Sequence, residues 1–156
     1  MGLGSVLAKV RMTLSLTIIM KKYLVGIDIG TSSCKICIID EAGNFIGSVA
    51  QEYRPISLKP GWFEQDPEEW YRAVIDSLRK LKKNSRMNFQ DIAAVGTTGQ
   101  MKGTTFMDSA GKVVRNTILW NDLRSLQEVN ELKSKYHEIL DQISLNPFNA
   151  TCAFPK

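Results

Sequence analysis

A chain of 156 residues is long enough for one domain with a packed core and too short for two ordinary ones. Its apolar fraction of 44% and charged fraction of 23% are those of a soluble globular protein. The net charge of +4 is mild, and no basic stripe with interleaved aromatics accompanies it, which argues against nucleic acid as a partner.

Residues 1–19 place two basic side chains, Lys9 and Arg11, ahead of a short apolar stretch. The stretch has the outline of a signal peptide but lacks an A-x-A-like cleavage site. It also falls short of the roughly 20 apolar residues a membrane helix needs. Met20-Lys21-Lys22 leads directly into a strong strand at Tyr23. Residues 1–19 are therefore read as an extension, disordered or reflecting a misassigned start, and the folded unit as residues 20–156.

YLVGIDI, from Tyr23, is a continuous apolar run, the pattern of a strand buried on both faces. SCKICIID is a second strand, ended by the turn Glu41-Ala42-Gly43-Asn44, and NFIGSVAQEYRP is a third. Pro60-Gly61 makes another turn. Asp66-Pro67-Glu68-Glu69 is a helix start, with Asp66 as N-cap, Pro67 at the first helical position and Glu69 completing a capping box. The predicted helix runs to about Lys82, with Trp70, Val74, Leu78 and Leu81 on one face, and Trp62 and Trp70 are read as packing residues. DIAAVGTT then reads as a strand reached by a helical crossover, hence parallel to an earlier one. Short strands are expected over 102–107 and 113–119, flanking a hairpin turn at Asp108–Lys112, followed by a polar helix over 122–140 and a closing loop. Three strands in meander, a helix and a further strand resemble, by analogy of topology, the opening of the α/β ribonuclease H-like, actin-type ATPase fold, which alone does not give function.

Cys34, Cys37 and Cys152 are odd in number, which suits a reducing cytosol and a cytoplasmic location. Cys34 and Cys37 form a C-x-x-C within a strand, where residues three apart point to opposite faces and cannot share a metal or a disulfide. They are expected to be buried and inert. His137 is the only histidine and falls on a helix surface.

The stretch GIDIGTSSCK, residues 26–35, concentrates an aspartate, a glycine and three hydroxyls between two strands. Phosphate binding requires backbone N–H groups aimed at the anion, with glycine where the backbone approaches closely. A Walker A loop is excluded because G-K-[ST] is missing, and a dinucleotide fingerprint because a strand follows where a helix is required. A hydroxyl-rich hairpin that cradles terminal phosphates remains, as does a plain tight turn. An aspartate ending the first strand would face Mg²⁺ through water, since magnesium sheds its hydration shell reluctantly.

Four stretches in order, GIDIGTSSCK, PGWFEQDPEEW, VGTTGQMKG and ILWNDLR, resemble the N-terminal part of FGGY-family carbohydrate kinases, the xylulokinases most of all. The resemblance implies ATP and Mg²⁺ as cofactors and phosphorylation of a sugar hydroxyl on a xylulose-like ketopentose. It assigns Asp28, Gly30, Thr31 and Ser32 to the ATP phosphates, with Lys35 as a further phosphate partner and Asp28 toward Mg²⁺. Gln100, Met101 and Lys102 match the family's GQMHG sugar-contacting segment, except that lysine stands where xylulokinases usually carry histidine. That departure opens the sugar identity to gluconate or another pentulose, while the lack of an arginine-glutamate pair at Met101-Lys102 argues against glycerol. Trp120 and Asp122 lie by resemblance beside the sugar, although Asn121 or Asp122 also suits a helix N-cap.

No catalytic residue is assigned within the chain, because the family's base is an aspartate further downstream, as is the adenosine-binding domain. The isolated chain is accordingly expected to be inactive. An exposed sheet edge is expected to favour self-association or pairing with a missing C-terminal half. The alternative is a non-catalytic sugar-binding or regulatory module derived from such a kinase.

Overall fold

The computed structural model describes residues 22–84, 88–143 and 148–151; the expectations for residues 1–19 and for Cys152 lie outside them. A four-stranded sheet in the order β3-β2-β1-β6 is built from β1 (Tyr23–Ile29), β2 (Ser33–Asp40), β3 (Phe45–Glu52) and β6 (Ile92–Gly99). β1, β2 and β3 form an antiparallel meander, and β6 returns parallel to β1 after the helical crossover. This is the predicted topology. The β2–β3 turn is fixed by Asp40, whose Oδ1 accepts the amides of Ala42 and Asn44 at 3.0 and 2.8 Å, and by Gly43 at φ +84°.

Helix α1 (Pro67–Asn84) makes the crossover. Asp66 Oδ1 accepts the Glu68 amide at 2.9 Å, so the cap is made at the second helical position rather than through the Glu69 box. Glu68 and Glu69 occupy the first turn and Lys82 and Lys83 the last, each favourable to the helix dipole. The centre of its buried stripe is Ala73, Ser77 and Leu81, while Trp70, Val74 and Leu78 flank it. Small residues on that line bring the helix close to β2 and β3.

Side-chain alternation assigns the sheet's two faces. Val25 and Ile27 on β1 stand opposite Ile38 and Ile36 on β2, and all four are buried toward α1. Burial of Ile36 and Ile38 contributes about 1.5–3 kcal/mol each. On the other face Leu24, Asp28, Lys35 and Cys37 are exposed. The continuous apolar run of β1 therefore does not signal two covered faces among the described residues, and Cys37, expected to be buried, is open while Cys34 is buried.

A second sheet, β4-β5-β7, joins β4 (Ile56–Lys59), β5 (Trp62–Gln65) and β7 (Thr117–Ile118). Gly61 at φ +78° makes the turn between β4 and β5. The strands expected over 102–107 and 113–119 reduce to β7 and to isolated bridges Thr104–Ile118 and Met107–Val113. The turn between them is as expected, with Asp108 Oδ1 accepting the amides of Ala110 and Lys112, each at 2.9 Å. Helix α2 (Leu126–Ile143) starts later than the expected 122, with a break in helical geometry at Tyr136. The delay has a cause: Leu123 donates its amide to Gly61 O at 2.7 Å, which straps the preceding segment onto the β4–β5 turn. Val129 and Leu140 of α2 pack with Phe148 and Ala150 in a separate small core, and His137 is exposed.

Candidate functional site

The C-terminal ends of β1 and β6 lie side by side, pairing Asp28 with Thr98 and Ile29 with Gly99. Each strand end delivers one expected segment: β1 runs into Gly30-Thr31-Ser32, and β6 into Gln100-Met101-Lys102. Gly99 is required at the junction, because a Cβ there would stand 2.8 Å from Ile29 O. That same oxygen accepts the Gln100 amide at 2.8 Å. Asp28, Thr31, Gln100, Met101, Lys102 and Trp120 line one cavity of about 400 Å³. Residues expected on the phosphate side and residues expected on the sugar side thus share a wall. Lys102 adopts φ 62°, the left-handed region that a lysine rarely occupies.

The loop after β1 is held by its carbonyls. Gly30 O accepts the Tyr53 hydroxyl at 2.7 Å, Thr31 O accepts Gln65 Nε2 at 2.7 Å, and Ser32 O accepts the Tyr53 amide at 3.0 Å. Burial first, and then the neighbouring Cys34 and Asp28, push the Tyr53 phenol well above its ordinary pKa, so the hydroxyl keeps its proton and stays a donor. Gln65 is fully buried, and its Oε1 accepts both Trp70 Nε1 at 3.0 Å and Gln100 Nε2 at 2.9 Å. Gln100 Oε1 in turn accepts the Thr31 hydroxyl at 3.2 Å, and that hydroxyl accepts Trp120 Nε1 at 3.0 Å. A hydroxyl has a single hydrogen, so Thr31 contributes its backbone amide rather than its side-chain proton to any further ligand.

Lys35 stands opposite Asp28 across the β1–β2 pair, on the uncovered sheet face. It lines a separate, larger depression of about 650 Å³ there, of which Asp28 is also part. Asp28 is thus the residue that connects the two concavities. Among the described residues no cluster of three or more metal-ligating side chains occurs. One exposed carboxylate beside a phosphate-sized loop suits magnesium, which keeps most of its waters.

Asp122 lies elsewhere. It is fully buried, its Oδ2 accepting the Phe63 amide at 2.7 Å and Arg124 Nη2 at 2.8 Å, and its Oδ1 accepting the Arg124 amide and Nε, each at 2.9 Å. Burial alone would raise its pKa, but the hydrogen bonds from Arg124 and from the Phe63 amide outweigh it and hold the carboxyl below the ordinary range. Arg124, kept charged chiefly by Asp122, also pairs with the buried Glu64 at 2.8 Å and lies 4.2 Å over the Trp62 ring. Arg115 pairs with the same Glu64. The ILWNDLR and PGWFEQDPEEW stretches are therefore two halves of one buried ionic scaffold. Tyr53, Glu64, Gln65 and Arg115 were not singled out from the sequence. No local pattern marks these roles, because each depends on a partner distant along the chain.

The pattern of the FGGY family of carbohydrate kinases, N-terminal domain, matches residues 23–153. A xylulose kinase of Staphylococcus epidermidis RP62A is 33% identical over 136 residues, which cover 87% of this chain and 27% of that protein. Glycerol kinase 2 of Thermotoga maritima is 37% identical over 121 residues, 76% of this chain and 24% of that protein. The crystal structure of a xyloylose kinase from Brucella ovis superposes with a TM-score of 0.80 at 35% identity, covering 85% of this chain and 28% of that one. The chain thus spans about a quarter of the length of these relatives. With the motifs, the sheet order and these likenesses in agreement, the chain belongs to the FGGY family of carbohydrate kinases, of whose actin-like fold it carries N-terminal-domain sequence.

Proposed function

We propose that the chain acts as the N-terminal part of an ATP-dependent kinase that phosphorylates a hydroxyl of a xylulose-like ketopentose. One observation carries this reading: the loop after β1 and the Gln100-Met101-Lys102 segment after β6 line a single cavity. Phosphoryl transfer depends mainly on positioning and on electrostatic stabilisation of charge. The Thr31 and Ser32 amides donate to no acceptor within the described residues and so are available to a terminal phosphate. Asp28 would hold hydrated Mg²⁺, which supplies charge neutralisation at the phosphates when bound. Gln100, Met101 and Trp120 form the sugar side, and Lys102 offers a charged donor in place of the histidine usual in xylulokinases. Asp122 acts here as scaffold rather than as a sugar contact. The base that takes the sugar proton, and the adenosine pocket, are contributed from outside the described residues in this reading, so the isolated chain does not turn over.

Titration of the ¹⁵N-labelled chain with D-xylulose, gluconate and glycerol, following the Trp120 indole and the Gln100 side-chain amide, tests the sugar side. D-xylulose is expected to shift both at lower concentration than the other two, with no sugar-dependent ADP formation by the chain alone. A stronger response to gluconate or glycerol overturns the ketopentose assignment. No response to any of the three removes the sugar site, and robust turnover refutes the inactivity.

A further inference from the structure

The geometry points to Tyr53 and Gln65 as the positioning residues of the phosphate loop, a role that rests on the kinase reading above. Three consecutive carbonyls, of Gly30, Thr31 and Ser32, are turned inward and each is bonded to one of these two residues. A peptide's N–H lies on the opposite side from its C=O. Turning the Gly30 and Thr31 carbonyls inward therefore turns the next amides, of Thr31 and Ser32, outward. Neither of those two amides has an acceptor among the described residues. Adjacent outward N–H groups make an anion-binding concavity.

Neither anchor touches the cavity itself. Tyr53 is 4% exposed and Gln65 is fully buried, so both act through the loop backbone rather than on a ligand. Gln65 has a second function that Tyr53 lacks. Its amide nitrogen holds the Thr31 carbonyl while its amide oxygen holds Gln100, so one planar group fixes the phosphate loop and the sugar-side glutamine to each other. The Thr31–Gln100 and Trp120–Thr31 bonds close the circuit across the mouth of the cavity. Displacement of the loop would therefore be felt at Gln100 and at the Trp120 indole, and the reverse.

The test uses the ¹⁵N-labelled 156-residue chain titrated with Mg²⁺-tripolyphosphate, a probe that carries the phosphates without the adenosine. The Thr31 and Ser32 amides are expected to shift in the wild type. In Tyr53→Phe, which removes only the hydroxyl, and in Gln65→Met, which keeps the length of the side chain, the apparent affinity is expected to fall about tenfold. Val129→Ala, in the separate core under α2, lowers stability without touching the loop and is expected to leave the affinity unchanged. Gln65→Met, and not Val129→Ala, is also expected to move the Trp120 indole resonance before any probe is added. Wild-type affinity in both loop variants overturns the proposal, as does an equal loss in Val129→Ala. If Gln65→Met does not fold, Tyr53→Phe decides alone. A wild-type loop that ignores tripolyphosphate defeats the kinase reading and this proposal with it, whereas a responding wild type with responding variants defeats this proposal only.

Discussion

Asp122 shows how a side chain can sit inside a functional motif and serve the scaffold. All its hydrogen-bonding capacity is directed at Phe63 and Arg124, and Arg124 carries the connection on to Glu64. Removing one member of such a buried network leaves its partner's charge uncompensated. Asp122→Asn is expected to lower stability at neutral pH by about 3–5 kcal/mol, measured by urea unfolding. The pH dependence has a definite sign. The folded carboxyl is held below its unfolded value, so the unfolded chain takes up the proton first as pH falls. The contribution is full above about pH 4 and is lost as pH drops through the lower folded value. The gap between wild type and Asp122→Asn should narrow over that acid range; a gap that stays constant would show that Asp122 does not act as a charged partner.

At the scale of the element, period-two alternation places Cys34 and Cys37 on opposite faces of β2. Cys34 is fully buried, and burial first, then Asp28, raises its thiol pKa, so little thiolate forms there. A thiol reagent applied to the folded chain is expected to modify Cys37 and to reach Cys34 only after denaturation, as read by peptide mass mapping. Rapid labelling of Cys34 in the native state would refute the assignment of faces. The meander, the crossover helix and β6 were legible because alternation, turn residues and the Asp66-Pro67 start are local signals. Asp28 and Thr31 were legible as part of a candidate phosphate hairpin from residue chemistry, beside a plain turn, whereas Gln100, Met101, Lys102 and Trp120 were legible only through motif resemblance; the structure brings all six to one cavity. What the sequence did not disclose is non-local. The Tyr53, Gln65 and Glu64 contacts join segments distant along the chain, and nothing in their neighbours' periodicity marks them. The start of α2 was misplaced because Leu123 and Asp122 are engaged by the β4–β5 hairpin, a tertiary tie that overrides a favourable capping residue. Cys37 and the outer face of β1 looked buried because an apolar run records what a strand can pack against, and not which parts of the molecule cover it.

At the scale of the whole molecule, the four-stranded sheet carries α1 on one face, while Leu24, Phe45 and Val95 are exposed. β6 closes the sheet order with β1 as its single partner among the described residues. No helix among the described residues is long and apolar enough to cross a membrane. A strand edge left open beside exposed apolar side chains templates further pairing. The isolated chain is therefore expected to self-associate as its concentration rises, measured by sedimentation velocity, and Val95→Lys on β6 is expected to shift it toward monomer. A wild-type chain that remains monomeric throughout the series would show that the edge is protected.

The inward carbonyls of the β1–β2 loop have a consequence for mutational drift. At Ser32 the loop is held through the main chain, so an exchange of that exposed side chain is cheap to the fold. The anchoring side chains, by contrast, lie 23 and 34 residues away from the carbonyls of Gly30 and Thr31 that they hold. Damage to this loop can therefore arise from a substitution far along the gene that leaves the loop's own codons intact.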